Sequence, residues 1–467
     1  MHRCGRWGKG AINIKTYQDL QAVGQNEDAR MAFVLAAISE HRGSKLYQTA
    51  VDAEKYYAGE NPTINRYEKL LYDMQGKAHV DMYTANYKLA SQFFKVAVDQ
   101  QVSYLLGNGV TFGDAGTVKK LCADFDQEVM AAARSAQIGG VAFGFWDFDH
   151  LRVYDVTEFA PLYDEENGAL MAGIRFWQIA SDRPLRATLY EPDGYTEYMR
   201  PRDGNMRALK EKSSYTTVEY TAAVGDPVIY DGGNYPSFPI VPLKNNRWQL
   251  SEIVGKRNTI DALDLATSNM VNNVDEGNLI YWVLTNCGGM DDLDDARFVE
   301  RLKTTHVAHA NGDDGAAAES HTLEAPYEGT NTTIDMLKKK LYEDFQCFNE
   351  GAITAGNQTA TAIKASYVPL DLKTDKFEAE VTKFIVEILR LAGIDDKPSY
   401  TRSQIINRLE ETQSLLLGAQ YYDDEYVLRK LLTLNGDIDQ LDELLKRKAA
   451  GDIDRFASSA PPDDNAE

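Results

Sequence analysis

Cysteine is scarce in this chain. There are four in 467 residues, Cys4, Cys122, Cys287 and Cys347, and no two form a CxxC pair. That scattering argues against a disulfide framework or a thiolate zinc site and makes a reducing compartment the default. Positive charge is also in deficit: 49 Lys and Arg stand against 71 Asp and Glu, a net charge of −22. Gripping nucleic acid by neutralising phosphates takes a basic surface, so that mode of binding is excluded. An acidic protein can still surround DNA when it need not bind it tightly. No stretch approaches the roughly 18 uninterrupted apolar residues of a membrane span. The basic N-terminal run MHRCGRWGKGAINIK lacks the apolar core of a signal peptide.

Catalytic and cofactor signatures are missing too. No GxxxxGK[ST] cradles a triphosphate; GNGVTFG (107–113) lacks the Lys and Ser/Thr and reads as a helix stop with a turn. Neither GxSxG nor HExxH occurs. His306 and His309 are spaced like two ligands on a helix, but no acidic or Cys partner stands at a telling offset. Asp291, Asp292, Asp294 and Asp295 lack the alternating ligands and distal Glu of an EF-hand loop, and read as a solvated turn. No metal, cofactor or catalytic residue is expected.

What is present is length and apolar patterning. A chain of 467 residues, 43% hydrophobic, supports two to four folding units. Residues 15–60 read as helices. In 85–112, Phe93, Phe94, Val98, Val102, Leu105 and Leu106 recur at helical spacing until Gly107 and Gly109 stop the run. A second amphipathic helix is predicted over 117–136. From 139 to 244 short aromatic, partly alternating segments separated by turn signals (PDG at 192–194, DGG at 231–233) read as one twisted antiparallel sheet, giving an α+β domain with the preceding helices.

A long helix follows, from about 250 to 278, with Ile253, Ile260, Leu263, Thr267, Met270, Val271 and Val274 near one face. Residues 279–328 are short and mixed, with an apolar strand LIYWVL. A second long helix runs over 331–349 on the stripe Ile334, Leu337, Leu341, Phe345 and Phe348. After AITAGNQ comes a third, TATAIKASYVPLDLKTDKFEAEVTKFIVEILRLAG, which Pro369 should kink. Residues 404–449 read as a small helical bundle broken at Gly418 and Gly436, with Asp437 and Gln440 placed like a capping box. The last residues, ASSAPPDDNAE, read as a disordered tail.

Four segments, in this order, resemble the portal proteins of tailed bacteriophages, closest to those of siphophages of Gram-positive hosts. They are the helix beginning near Asn86 and Lys88 and running through FFKVAVDQQVSYLLGNGVTF, the step AAARSAQIGGVAFGFWDFD into the sheet, VPLKNNRWQLSEIVGKRNTIDALDLATSNMVNNVDEGNLIYWVL, and NQTATAIKASYVPLDLKTDKF. Where the family commonly has a proline after the first helix, Asn108 and Gly109 stand here. The resemblance covers about 60–450.

The resemblance implies the portal fold. Residues 1–245 would be an α+β wing, 246–278 the first stem helix, 279–328 a small α/β clip and 329–350 the second stem helix. Residues 351–358 would be the tunnel loop, 359–400 a long kinked helix joining wing to crown, 401–450 a helical crown and 451–467 a tail. It further implies a closed ring, dodecameric in the virion, at one capsid vertex, assembled in the host cytoplasm. Double-stranded DNA would pass through the ring. Its partners would be the terminase large subunit, the head–tail adaptor, and scaffolding and major capsid proteins; it would be no enzyme.

Under that reading Thr354, Asn357, Gln358 and Thr359 touch moving DNA through labile hydrogen bonds. Lys338, Lys339 and Lys340 fan around the second stem helix, about 100° apart, so at least one can face the channel; pairing with Asp335, Glu343 and Asp344 is the alternative. Asp291, Asp292, Asp294 and Asp295 would dock a motor or adaptor. Ile334, Leu337 and Leu341 would be covered by the neighbouring subunit. Two other readings compete: another phage structural protein, such as a minor capsid or adaptor component, and a metal-dependent nuclease, which needs clustered carboxylates with a basic approach surface.

Overall fold

The computed structural model describes residues 15–72, 75–82, 84–148, 150–220, 229–277, 280–285, 317–322, 327–349, 360–403, 415–435 and a few isolated positions beyond. The chain divides into two compact units. The larger holds residues 1–347 and 370–401, the smaller 348–369 and 402–467.

The larger unit opens with helices whose starts are written in the sequence. Thr16 and Asp19 form a capping box on α1 (Tyr17–Val23). Asn26 caps α2 (Glu27–Gly43) and Ser44 caps α3 (Lys45–Ala58). A short α4 (Pro62–Asn65) leads to a hairpin, β1 (Leu70–Tyr72) with β2 (Ala78–Val80), which the periodicity did not predict. Then come α5 (Phe93–Leu106), β3 (Val110–Phe112), α6 (Ala115–Lys120) and α7 (Phe125–Gly139). The single helix expected over 117–136 is thus two. The chain turns extended at Leu121, and Asp126 at the start of α7 accepts the Val110 N–H at 3.1 Å.

The expected single sheet is also divided. β4 (Val141–Trp146), β5 (Leu151–Asp155) and β13 (Ile240–Lys244) make a three-stranded sheet in the order β13-β4-β5. β6 (Phe159–Tyr163), β7 (Leu170–Trp177), β8 (Leu185–Glu191), β9 (Gly194–Arg200) and β10 (Arg207–Ala208) make a five-stranded antiparallel meander. β11 (Thr216–Tyr220) and β12 (Ile229–Gly233) pair alone. The split falls at the turn after Asp155, where the Glu158 N–H bonds back to the Asp155 carbonyl. Across it Phe143 and Phe159 pack at 4.4 Å, and Tyr154, Tyr190, Phe145 and Tyr215 continue the aromatic seam. α1 and α2 cover the meander through Leu20, Phe33, Val34 and Ile38.

Beyond β13 lie α8 (Arg257–Gly277), the antiparallel strands β14 (Ile280–Thr285) and β15 (Ala317–Thr322), and α9 (Tyr327–Phe345). Both helices differ from expectation at their ends. Residues 251–256 form turns before α8, and Gln346, in the left-handed region at φ 52°, ends α9 ahead of residue 349. The third helix, α10 (Ala360–Leu391), runs unbroken through Pro369 to Gly393 at φ 72°. From Phe377 onward it buries Val381, Phe384, Ile385, Ile388 and Leu389 in the main core with α5, α7, α8 and α9. β16 (Pro398–Tyr400) pairs with β3. The contact between α10 and the sheet is close: a Cβ on Gly144 of β4 would lie 2.4 Å from the Phe384 ring.

In the smaller unit Phe348 stacks on Tyr367 at 3.9 Å. A 3-10 turn over Ala419–Tyr421 follows Gly418 and precedes α11 (Asp424–Asn435). Gly436, Asp437, Gln440 and the tail at 451–467 lie outside the described residues. Among those described, no helix is long and apolar enough to cross a membrane.

Candidate functional site

α8 and α9, the pair expected to form the stem, are the helices that periodicity singles out. α8 and α9 pack together, and contacts at opposite ends fix their directions. Tyr327, opening α9, donates its hydroxyl to the Asn273 carbonyl near the end of α8 at 3.3 Å. Lys256, just before α8, sits over the ring of Phe345, which closes α9, at 4.3 Å. The helices are therefore antiparallel, joined through the β14–β15 pair.

The apolar stripes do not behave as a single face. Ile334 and Leu341 are 8% and 0% exposed within one protomer, and Leu337 packs half-buried against the same core. Ile334 and Leu341 share one core cluster with residues of α5, α8 and α10 of the same chain. Periodicity reports that a face is buried, not by what. Among the described residues, the large apolar side chains these two helices leave exposed are Leu265, Val271 and Val274 on α8 and Met336 on α9.

The three stem lysines are all exposed. Lys340 pairs with Asp344 one turn on, at 2.9 Å. Lys338 and Lys339 make no ion pair among the described residues. Thr354, Asn357, Gln358 and Thr359, and the acidic cluster Asp291, Asp292, Asp294 and Asp295, lie outside the described residues, as do His306 and His309. Among the described residues no group of His, Cys, Asp and Glu is placed to hold a metal.

Two constellations that periodicity missed organise the stem. The first is a buried charge cluster where α9 ends. Glu252 contacts Lys256 and, at 3.0 Å, Lys373 of α10. Lys373 also donates to the Phe345 carbonyl at 2.9 Å, satisfying a C-terminal orphan of α9. Burial pushes the Glu252 carboxyl up, but Lys373 and Lys256 outweigh it and hold it below its ordinary value. Burial in turn lowers the Lys256 ammonium, against the pull of Glu252. Cys347 lies beside them, its thiol pushed up to about 11 by burial and so protonated at neutral pH. One carboxylate thus ties the start of α8, the end of α9 and the middle of α10 together.

The second is a ladder between helix and extended chain. Asp264, Ser268 and Asn272 are buried on α8 at i, i+4 and i+8. They accept the backbone N–H groups of Ser91 (2.9 Å), Leu89 (2.9 Å) and Tyr87 (2.8 Å). Burial raises the Asp264 carboxyl, while Asn61 and Ser91 bond to it and oppose that. The strap over 87–91 is thereby pinned along the stem. Its sequence signal was there to read: short polar side chains repeating every four residues inside a helix, where they favour bonding to backbone.

Residues 37–451 match the family described as phage portal protein, SPP1 Gp6-like. The portal protein of Bacillus phage SPP1 is 25% identical over 419 residues, covering 82% of this chain and 78% of that one. The portal protein of Clostridium phage phiCD119 is 23% identical over 414 residues, covering 82% and 88%. Among solved structures, the neck of an empty GTA particle computed with C6 symmetry aligns with 73% of this chain and 90% of that chain, at 11% identity and a TM-score of 0.39. With a family match spanning most of its length, this chain belongs to the phage portal protein family, a structural family of the virion's capsid vertex.

Proposed function

We propose that this portal protein works as a closed ring of identical copies whose central channel passes double-stranded DNA, inward during packaging and outward at ejection. The antiparallel α8–α9 stem carries this reading. It is a helix pair that covers its own apolar stripe at the core end and leaves Val271, Val274 and Met336 exposed elsewhere. Identical neighbours in a head-to-tail ring can cover such residues, and a rotation that closes gives cyclic symmetry. The net charge of −22 suits a channel for DNA. An acidic wall repels phosphate and keeps a duplex centred, while sparse cations give transient contacts.

In this reading Lys338 and Lys339 meet the duplex, and Thr354, Asn357, Gln358 and Thr359 form the tunnel loop. The clip acids Asp291, Asp292, Asp294 and Asp295 receive the terminase or the head–tail adaptor. Residues 1–245 act as the wing and 401–450 as the crown. Scaffolding and major capsid proteins are the assembly partners in the host cytoplasm, and the chain carries out no catalysis.

Negative-stain electron microscopy with mass photometry on the purified chain tests this directly. The expected result is rings with a central hole and a mass of about a dozen subunits. A chain that stays monomeric even with its scaffolding and capsid proteins present sinks the ring.

A further inference from the structure

The β1–β2 hairpin presents an apolar face to solvent. Its register pairs Leu70 with Val80, Leu71 with His79 and Tyr72 with Ala78. Opposed residues share a face, and successive residues alternate between faces. Leu70, Tyr72, Ala78 and Val80 therefore form one wholly apolar side. Every residue of both strands is exposed, Tyr72 by 70%. The strands form a two-stranded sheet of their own, and such a ribbon is marginal in water by itself.

The root of the hairpin is nevertheless fixed. The Asp81 N–H extends the ladder to the Lys69 carbonyl at 2.9 Å. Asp81 then accepts the Thr84 N–H and hydroxyl in a tight turn, and the strap beyond is pinned on α8 down to Tyr87 at Asn272. A firmly rooted arm with an uncovered apolar face is built for a contact.

Charge is compatible with a second copy as the occupant. Residues 66–81, which carry the hairpin and its root, hold Arg66, Lys69 and Lys77 against Glu68, Asp73 and Asp81, a neutral segment on a chain of −22. A neutral arm with an apolar face can approach an acidic protein surface with apolar ground without like-charge repulsion. The stem offers one toward the end of α8: Val271 and Val274 are exposed, and so is Asp275 beside them. In a ring every copy sits at the same height, and the strap leading to this arm is pinned at Asn272, level with Val271 and Val274 of the adjacent copy.

We infer that the β1–β2 hairpin is an intersubunit arm, docking its Leu70–Tyr72–Ala78–Val80 face onto the exposed end of the stem of a second copy of this chain. The inference rests on the proposed ring. Arm and stem surface are different parts of the molecule, so the contact is head-to-tail, the kind that closes into rings.

The test uses the full chain carrying p-benzoylphenylalanine at position 72, mixed from isotopically light and heavy preparations and irradiated after assembly. Light–heavy cross-links to peptides holding Val271 or Val274 are expected. Assembled wild-type chain with cross-links only within one copy, to other regions, or none at all overturns the arm and leaves the ring standing. Wild-type chain that never assembles overturns both. In parallel, Leu70→Asp with Tyr72→Asp should raise the concentration for half-assembly by roughly tenfold or more. These residues are exposed, so the thermal unfolding profile of the protomer should not move. Unchanged assembly with lost DNA binding would instead assign the arm to nucleic acid and overturn the inference.

Discussion

At the scale of single residues the chain rests much on Glu252. Two lysines converge on it in a buried site, and removing its charge leaves both facing each other. Glu252→Gln is expected to destabilise the larger unit by about 3 kcal/mol, read by urea unfolding at pH 7. The pH dependence has a definite sign. The folded-state carboxyl lies below its ordinary value, so its contribution is full above the unfolded value near 4.3 and is lost as pH falls through the folded value. Stability should therefore drop on acidification below about pH 4.3, with a shallower slope in Glu252→Gln; identical slopes would remove Glu252 as the cause. None of this was legible in the sequence. Lys373 is far from Glu252 along the chain, and neither hydropathy nor motif spacing brings them together.

Among elements, the long helices were the most legible, because a stripe repeated over several turns leaves one interpretation. α10 lies where the periodicity placed it, and α5 stops at Gly107 as expected but starts at Phe93, with the chain from Asn86 to Ser91 non-helical beside α8. Short elements were not. The β1–β2 hairpin spans three residues a side, too few for alternation to register, although Gly76 between LLY and AHV marked its turn. The sheet was read as one because local sequence specifies strands, while the Phe143–Phe159 seam that separates two sheets is a tertiary fact. The stripe on α9 was legible, and within one protomer Ile334 and Leu341 are already buried. The docking of α10 on the sheet yields its own prediction. Gly144 leaves room for the Phe384 ring, so Gly144→Ala should cost about 1–3 kcal/mol through displacement of α10, measured by thermal unfolding. The double variant Gly144→Ala with Phe384→Leu should recover part of that loss; equal loss in both would place the clash elsewhere.

For the whole molecule, family membership was legible from four ordered segments, whereas the residues that meet DNA were legible only as a region. Deletion of 355–358 is expected to leave rings intact in electron micrographs and to reduce packaged DNA in a packaging assay. Normal packaging would remove the tunnel-loop role from Thr354, Asn357, Gln358 and Thr359. The charge of −22 acts at this scale as well, since it belongs to no single site.

The ladder between the strap and α8 has a built-in limit. Two residues of extended chain advance about 6.8 Å, while four residues of helix advance about 6.0 Å. The two rails therefore slip against each other by about 0.8 Å per rung, as the scales of a vernier do. Three rungs, at Ser91, Leu89 and Tyr87, absorb that drift within the reach of Asp, Ser and Asn side chains. Between the first and last rung the drift totals about 1.6 Å, so a ladder of this kind holds only over a short run.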